Sequence, residues 1–186
     1  MSHINLYNSM NFSEDVNEAI CNISKDQREL LSIYKIGSSV ENTPILAINL
    51  GIGSKKILIN ATHHAREMIN TILLLDQIQY ILNLYKTKSY VDNINIRELL
   101  HKVTLVFVPL VNPDGADLVL NGKYFLSNQY KNMFYLQRNS FESWKSNIRG
   151  VDLNRNYPTK HPSNDTVNYP GPKGYTGPWY FSEPET

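Results

Sequence analysis

The sequence predicts an α/β fold, with a mixed, largely parallel sheet flanked by helices. Three observations carry that expectation. Short apolar runs at residues 31–36, 45–50, 57–59 and 103–108 have the length of strands. A long stretch with helical spacing lies between the last two, as a crossover between parallel strands requires. Turn-forming clusters such as Gly37-Ser38-Ser39 and Gly51-Ile52-Gly53-Ser54 separate the runs.

Ser13 reads as the N-cap of a first helix, in which Val16, Ala19, Ile20 and Ile23 recur at helical spacing. Residues 31–36 and 45–50 then form a hairpin, although its loop at 40–44 has neither Asn-Gly nor Asp-Gly. Ile57, Leu58 and Ile59 are apolar on both faces, which predicts a strand in the middle of the sheet. Met68, Ile72, Leu75, Ile78, Leu82 and Tyr85 trace the apolar face of a long helix. A shorter helix at 94–100 leads into the buried strand 103–108. From Asn112 to Thr186 periodicity is low, and Gly, Pro, Asn and Tyr are frequent. So long a loop region in a compact domain signals function. No repeat or linker divides the chain, so one domain over residues 1–186 is expected. It lacks a closing helix or strand after the Pro-rich stretch 169–186, and is expected to be incomplete.

Composition narrows the function. Hydrophobic residues make up 41% and charged residues 19%, as in a globular protein. A net charge of +1 excludes nucleic acid or a polybasic membrane surface as the main partner. Cys21 is the only cysteine, so neither a disulfide framework nor a multi-thiolate metal site can form. Residues 1–6 lack the basic-then-apolar pattern of a secretory signal, and no apolar run is long enough to span a membrane. A soluble, cytoplasmic monomer is expected.

The chemistry concentrates at strand ends. His64-Ala65-Arg66-Glu67 follows the third strand and sets an imidazole and a carboxylate three residues apart, neighbours if the segment turns helically. Both are good Zn²⁺ ligands, but a catalytic zinc needs three. A satisfied core or surface histidine is the alternative reading. Asn112-Pro113-Asp114-Gly115 follows the strand at 103–108 and reads as a tight turn. Ligands of open α/β sheets bind beyond such strand ends. Gly150-Val151-Asp152-Leu153-Asn154-Arg155-Asn156 gathers an acid, amides and a guanidinium, either as a surface charge pair or as a fork for a carboxylate ligand.

Together with Phe181-Ser182-Glu183-Pro184-Glu185-Thr186, these motifs resemble the zinc carboxypeptidase family of carboxypeptidase A, most of all bacterial members such as the γ-D-glutamyl-diamino acid endopeptidases. The resemblance covers His64 to Thr186 in the family's order and implies a zinc carboxypeptidase-like α/β fold whose C-terminal part is missing. It implies His64 and Glu67 as ligands of Zn²⁺, and Asp152 as the carboxylate that orients His64. Asn154 and Arg155 would hold the C-terminal carboxylate of a peptide, with Arg66 adding positive charge on the approach. The arginine that polarises the scissile carbonyl in pancreatic members is replaced, since Trp144 is followed by Lys145; Arg149 is the other candidate for that oxyanion role.

The family's third ligand, general base and substrate-binding tyrosine belong to a region downstream of the Ser182–Thr186 motif. His161 is the substitute ligand within reach, and His63 is expected to point away from the metal. The expected protein is therefore a truncated zinc metallopeptidase of reduced or no activity, whose substrate class is a peptide or a peptidoglycan stem peptide. The alternative is a non-catalytic module that binds the same carboxylates.

Overall fold

The computed structural model describes residues 9–23, 29–122, 141–160 and 165–186. Helix α1 spans Phe12–Ile23 and buries Phe12, Val16, Ala19, Ile20 and Ile23. Ser13 lies inside its first turn rather than before it, and its hydroxyl and backbone N–H donate to Asp117. Strands β1 (Leu31–Ser38) and β2 (Pro44–Leu50) pair antiparallel as the expected hairpin, with a register irregularity between Lys35 and Gly37. Strand β3 covers Lys55–Asn60, and helix α2 covers Met68–Lys86. A small hairpin, β4 (Tyr90–Val91) and β5 (Ile94–Asn95), precedes helix α3 (Ile96–Lys102) and strand β6 (Val103–Val108). Asn95 caps α3 by accepting from the backbone N–H groups of Arg97 and Glu98.

The sheet is mixed, in the order β1-β2-β6-β3. Strand β6 pairs parallel with β3 and antiparallel with β2, and β1 pairs antiparallel with β2, so one of the sheet's three strand pairs is parallel. Parallel pairing is thus a smaller share than helix–strand alternation implies. The α2–α3 crossover returns the chain between β2 and β3, which leaves β3 outermost instead of central. None of its six residues is buried. Ile57 and Leu58 point to opposite faces, yet are 47% and 63% exposed.

The main core packs α1, α2 and α3 on one sheet face, around Ile20, Ile48, Ile78, Leu100 and Phe107. Ile45, Ala47, Val108, Val111 and Leu153 form a smaller cluster. Another joins Ala65 and Leu118 to Phe141, Trp144 and Ile148, which anchors the loop after residue 140. The Asn112–Gly115 motif opens helix α4 (Pro113–Asn121) rather than a free turn. Pro and Asp have the same backbone preference in a type I turn and in a first helical turn, so the motif fits both. Among the described residues, no helix is long and apolar enough to cross a membrane.

Candidate metal centre

The segment after β3 folds sharply. Thr62 adopts φ 52°, a costly backbone state for a β-branched residue. Its hydroxyl bonds to the Glu67 carbonyl and to the Thr71 hydroxyl, which in turn donates to the Pro109 carbonyl at 2.6 Å. The Glu67 N–H donates to the His64 carbonyl at 3.0 Å and closes a turn that brings the two side chains together. His64 Nδ1 then lies 3.0 Å from Glu67 Oε1.

On the ring's other side, His64 Nε2 faces Asp152 Oδ1 at 3.5 Å. That oxygen is buried and has no hydrogen-bond partner, so the contact is an electrostatic one that has not tightened into a bond. The second Asp152 oxygen accepts from the Gly174 N–H at 2.9 Å. Asp152 and Glu67 together raise the His64 pKa, the Asp152 contact contributing most. Burial pushes the Asp152 carboxyl up, but the His64 contact and the Gly174 N–H outweigh it and leave it lowered.

This donor set fits zinc. Bonds of about 2.1 Å put adjacent tetrahedral ligands roughly 3.4 Å apart, close to the observed gap. A proton on Nε2, directed at the orphaned Asp152 oxygen, frees the Nδ1 lone pair for a metal. Two donors are what the described residues offer: among them no group of three or more His, Cys, Asp or Glu is arranged to hold a metal ion. His161 lies outside the described residues.

An open cleft of about 530 Å³ is lined by His63, His64, Glu67, Asn70, Asn154 and Tyr157 together with Leu58, Asn60, Ala61 and Thr62 at the strand end. His63 turns from the pair, with Nε2 at 3.2 Å from the Tyr157 hydroxyl. Burial, and then the neighbouring His64, lowers its pKa. Arg66, Lys145, Arg149 and Arg155 do not line the cleft. Arg66 is exposed. Lys145 is half-buried, and Arg149 Nη1 approaches Glu183 at 3.5 Å. Arg155 follows Asn154 in a 3₁₀ turn over Leu153–Arg155, its Nε buried without a partner.

The side chains that hold these loops are Asn147, which no sequence motif marks, and Asn156, whose amide the Gly150–Asn156 motif includes without indicating this role. Asn147 and Asn156 are fully buried. Asn147 donates to Glu183 and Glu185 and accepts from the N–H groups of Arg149 and Val151. Asn156 donates to the Thr176 and Trp179 carbonyls and the Ser182 hydroxyl.

A strand-end His-x-x-Glu pair on a mixed α/β sheet, with a carboxylate behind the histidine, is the framework of a metallopeptidase class of protein. The chain belongs to the zinc carboxypeptidase family, whose model matches residues 16–186. It is 36% identical over 154 residues to γ-D-glutamyl-L-diamino acid endopeptidase 1 of Lysinibacillus sphaericus, covering 81% of this chain and 39% of that protein. It is 32% identical to mast cell carboxypeptidase A of Mus musculus, covering 85% of this chain and 35% of that protein. In fold it is similar to thrombin activatable fibrinolysis inhibitor (TM-score 0.68, 20% identity), covering 93% of this chain and 41% of that one. The chain thus spans about two-fifths of the length of these relatives.

Proposed function

We propose that residues 1–186 form part of a zinc carboxypeptidase catalytic domain, with His64 and Glu67 as metal ligands and Asp152 fixing the His64 tautomer. The observation that carries this reading is His64 held between Glu67 at 3.0 Å and the unpartnered Asp152 oxygen at 3.5 Å. Bound there, zinc supplies Lewis acidity and an activated water. The protein's share is orientation. Asp152 keeps a proton on Nε2, so that Nδ1 faces the cleft with its lone pair, and the turn closed by Glu67 N–H fixes the carboxylate beside it.

Substrate binding falls to Asn154, which lines the cleft, and to Arg155, next to it in the same 3₁₀ turn, with Arg66 adding positive charge. The substrate class is a peptide with a free carboxylate. The likeness to an enzyme named for γ-D-glutamyl-L-diamino acid bonds favours a peptidoglycan stem peptide. Lys145 and Arg149 stand as candidates for the oxyanion role. Among the described residues lining the cleft Glu67 is the one carboxylate, and as a metal ligand it would not serve as a separate general base. Peptide hydrolysis by the 186-residue chain is therefore weak or absent. Incubation with stem peptides and Zn²⁺, followed by mass spectrometry, checks this. Zinc-dependent cleavage lost in Glu67→Ala would contradict the weak activity.

A second reading, a non-catalytic carboxylate-binding module, is favoured by the buried, unpartnered Nε of Arg155. Its mark is metal-independent binding of a stem peptide that disappears in Arg155→Ala.

A further inference from the structure

Asn112 is fully buried, and its side chain does more than cap α4. Its Oδ1 accepts from the Gly115 N–H at 3.1 Å, as an N-cap does. Its Nδ2 donates to the His63 carbonyl at 3.1 Å and to the Ser146 carbonyl at 3.2 Å, with the Lys145 carbonyl at 3.5 Å. The His63 carbonyl belongs to the peptide group that carries the His64 nitrogen. One amide therefore ties the backbone immediately before the candidate ligand to the loop that carries Asp152.

Two further bonds run alongside it: Ala65 N–H to the Lys145 carbonyl at 3.0 Å, and Arg66 N–H to the Trp144 carbonyl at 3.1 Å. The position of Gly115 completes the clamp. A Cβ there would sit 2.5–2.7 Å from the Asn112 side-chain atoms, so the amide occupies the space that glycine leaves.

We infer that Asn112 is a positioning residue of the candidate zinc site, setting His64 against Asp152 by clamping the segment after β3 to the Trp144–Asp152 loop. The inference rests on the metal-ligand reading of His64, and its role is exerted through His64 and Asp152 without contact to substrate. It also accounts for an asparagine and a glycine three residues apart in a motif that helix capping alone would not require in this form.

The test compares Asn112→Ser with Gly115→Ala. Serine keeps an oxygen to cap α4 but removes both amide hydrogens. Alanine leaves Asn112 in the sequence and displaces its amide, while favouring the helix by propensity. Ile20→Ala, in the α1 core, serves as a control for lost stability alone.

Two readouts are taken on each full chain: the His64 tautomer by ¹⁵N NMR, at a pH above the ring's own titration as followed in the same spectra, and Zn²⁺ affinity by calorimetry. In both test variants the inference expects the His64 tautomer ratio to move away from that of the unsubstituted chain and zinc to bind roughly tenfold more weakly, with Ile20→Ala unchanged in both. Wild-type tautomer and affinity in both test variants, or equal shifts in Ile20→Ala, would overturn it. If the unsubstituted chain takes up no zinc, the ligand reading fails, and the tautomer measurement still decides the role of Asn112.

Discussion

The loops after β6 and the strand β3 divide burial in the opposite way to regular structure. Asn112, Asn147 and Asn156, in turns and loops, are fully buried, whereas Leu58, in a regular strand, is 63% exposed. The loops stay inside because amide side chains satisfy backbone groups that lack a ladder partner. The strand stays exposed because β6 separates it from β2, and no other described strand pairs with its outer edge. Order at the candidate site thus comes from polar side chains aimed at loop backbone, with the sheet supplying the two strand ends that bring the loops together.

Breaking the loop side should cost most. Asn156 makes three donor contacts and accepts from Thr186 Oγ1 at 2.7 Å and the Glu183 N–H at 3.3 Å. Asn156→Ala removes all five contacts at once, leaving the buried Glu183 N–H and the part-buried Thr176 and Trp179 carbonyls without this partner, and urea denaturation should reveal a loss of about 4 kcal/mol.

Next comes a pH effect in the same region. Burial, chiefly, together with the nearby Asp114 and Glu183, pushes the Glu185 carboxyl up to about 7 from an ordinary 4.5. Between those values the unfolded chain has given up this proton while the folded chain retains it. This residue's contribution to stability is therefore most favourable below pH 4.5 and declines as pH rises to about 7. The loss amounts to about 3 kcal/mol, and should vanish in Glu185→Gln when midpoints are compared across that range. A slope shared equally by both proteins would assign the effect to other groups.

On the exposed side, Leu58→Lys should change stability by less than about 0.5 kcal/mol, despite replacing a leucine in a strand. A larger loss would mean that β3 is covered in solution, and light scattering would show whether a second copy covers it.

The contrast also explains what could be read in the sequence. The hairpin, α2, β6 and the His64–Glu67 pair were legible because each depends on residues close together in the chain. Asp152 was legible only through family resemblance, since 85 positions of chain separate it from Glu67. Apolar residues on both faces of β3 predicted a central strand, but strand order is fixed by the crossover, which local pattern does not encode. Asn147 passed unnoticed because a loop asparagine looks the same whether solvated or buried; its Glu183 partner lies 36 residues away. The Asn112 motif was recognised, while the clamp it forms needs the position of Ser146 to be seen.

Calorimetric titration of Zn²⁺ into the 186-residue chain tests the central claim most directly, with His64→Ala and Glu67→Ala alongside. One weak site is expected, lost in both variants, because the described ligands number two where a catalytic zinc has three. Absence of binding, or a site of unchanged affinity in either variant, would contradict it.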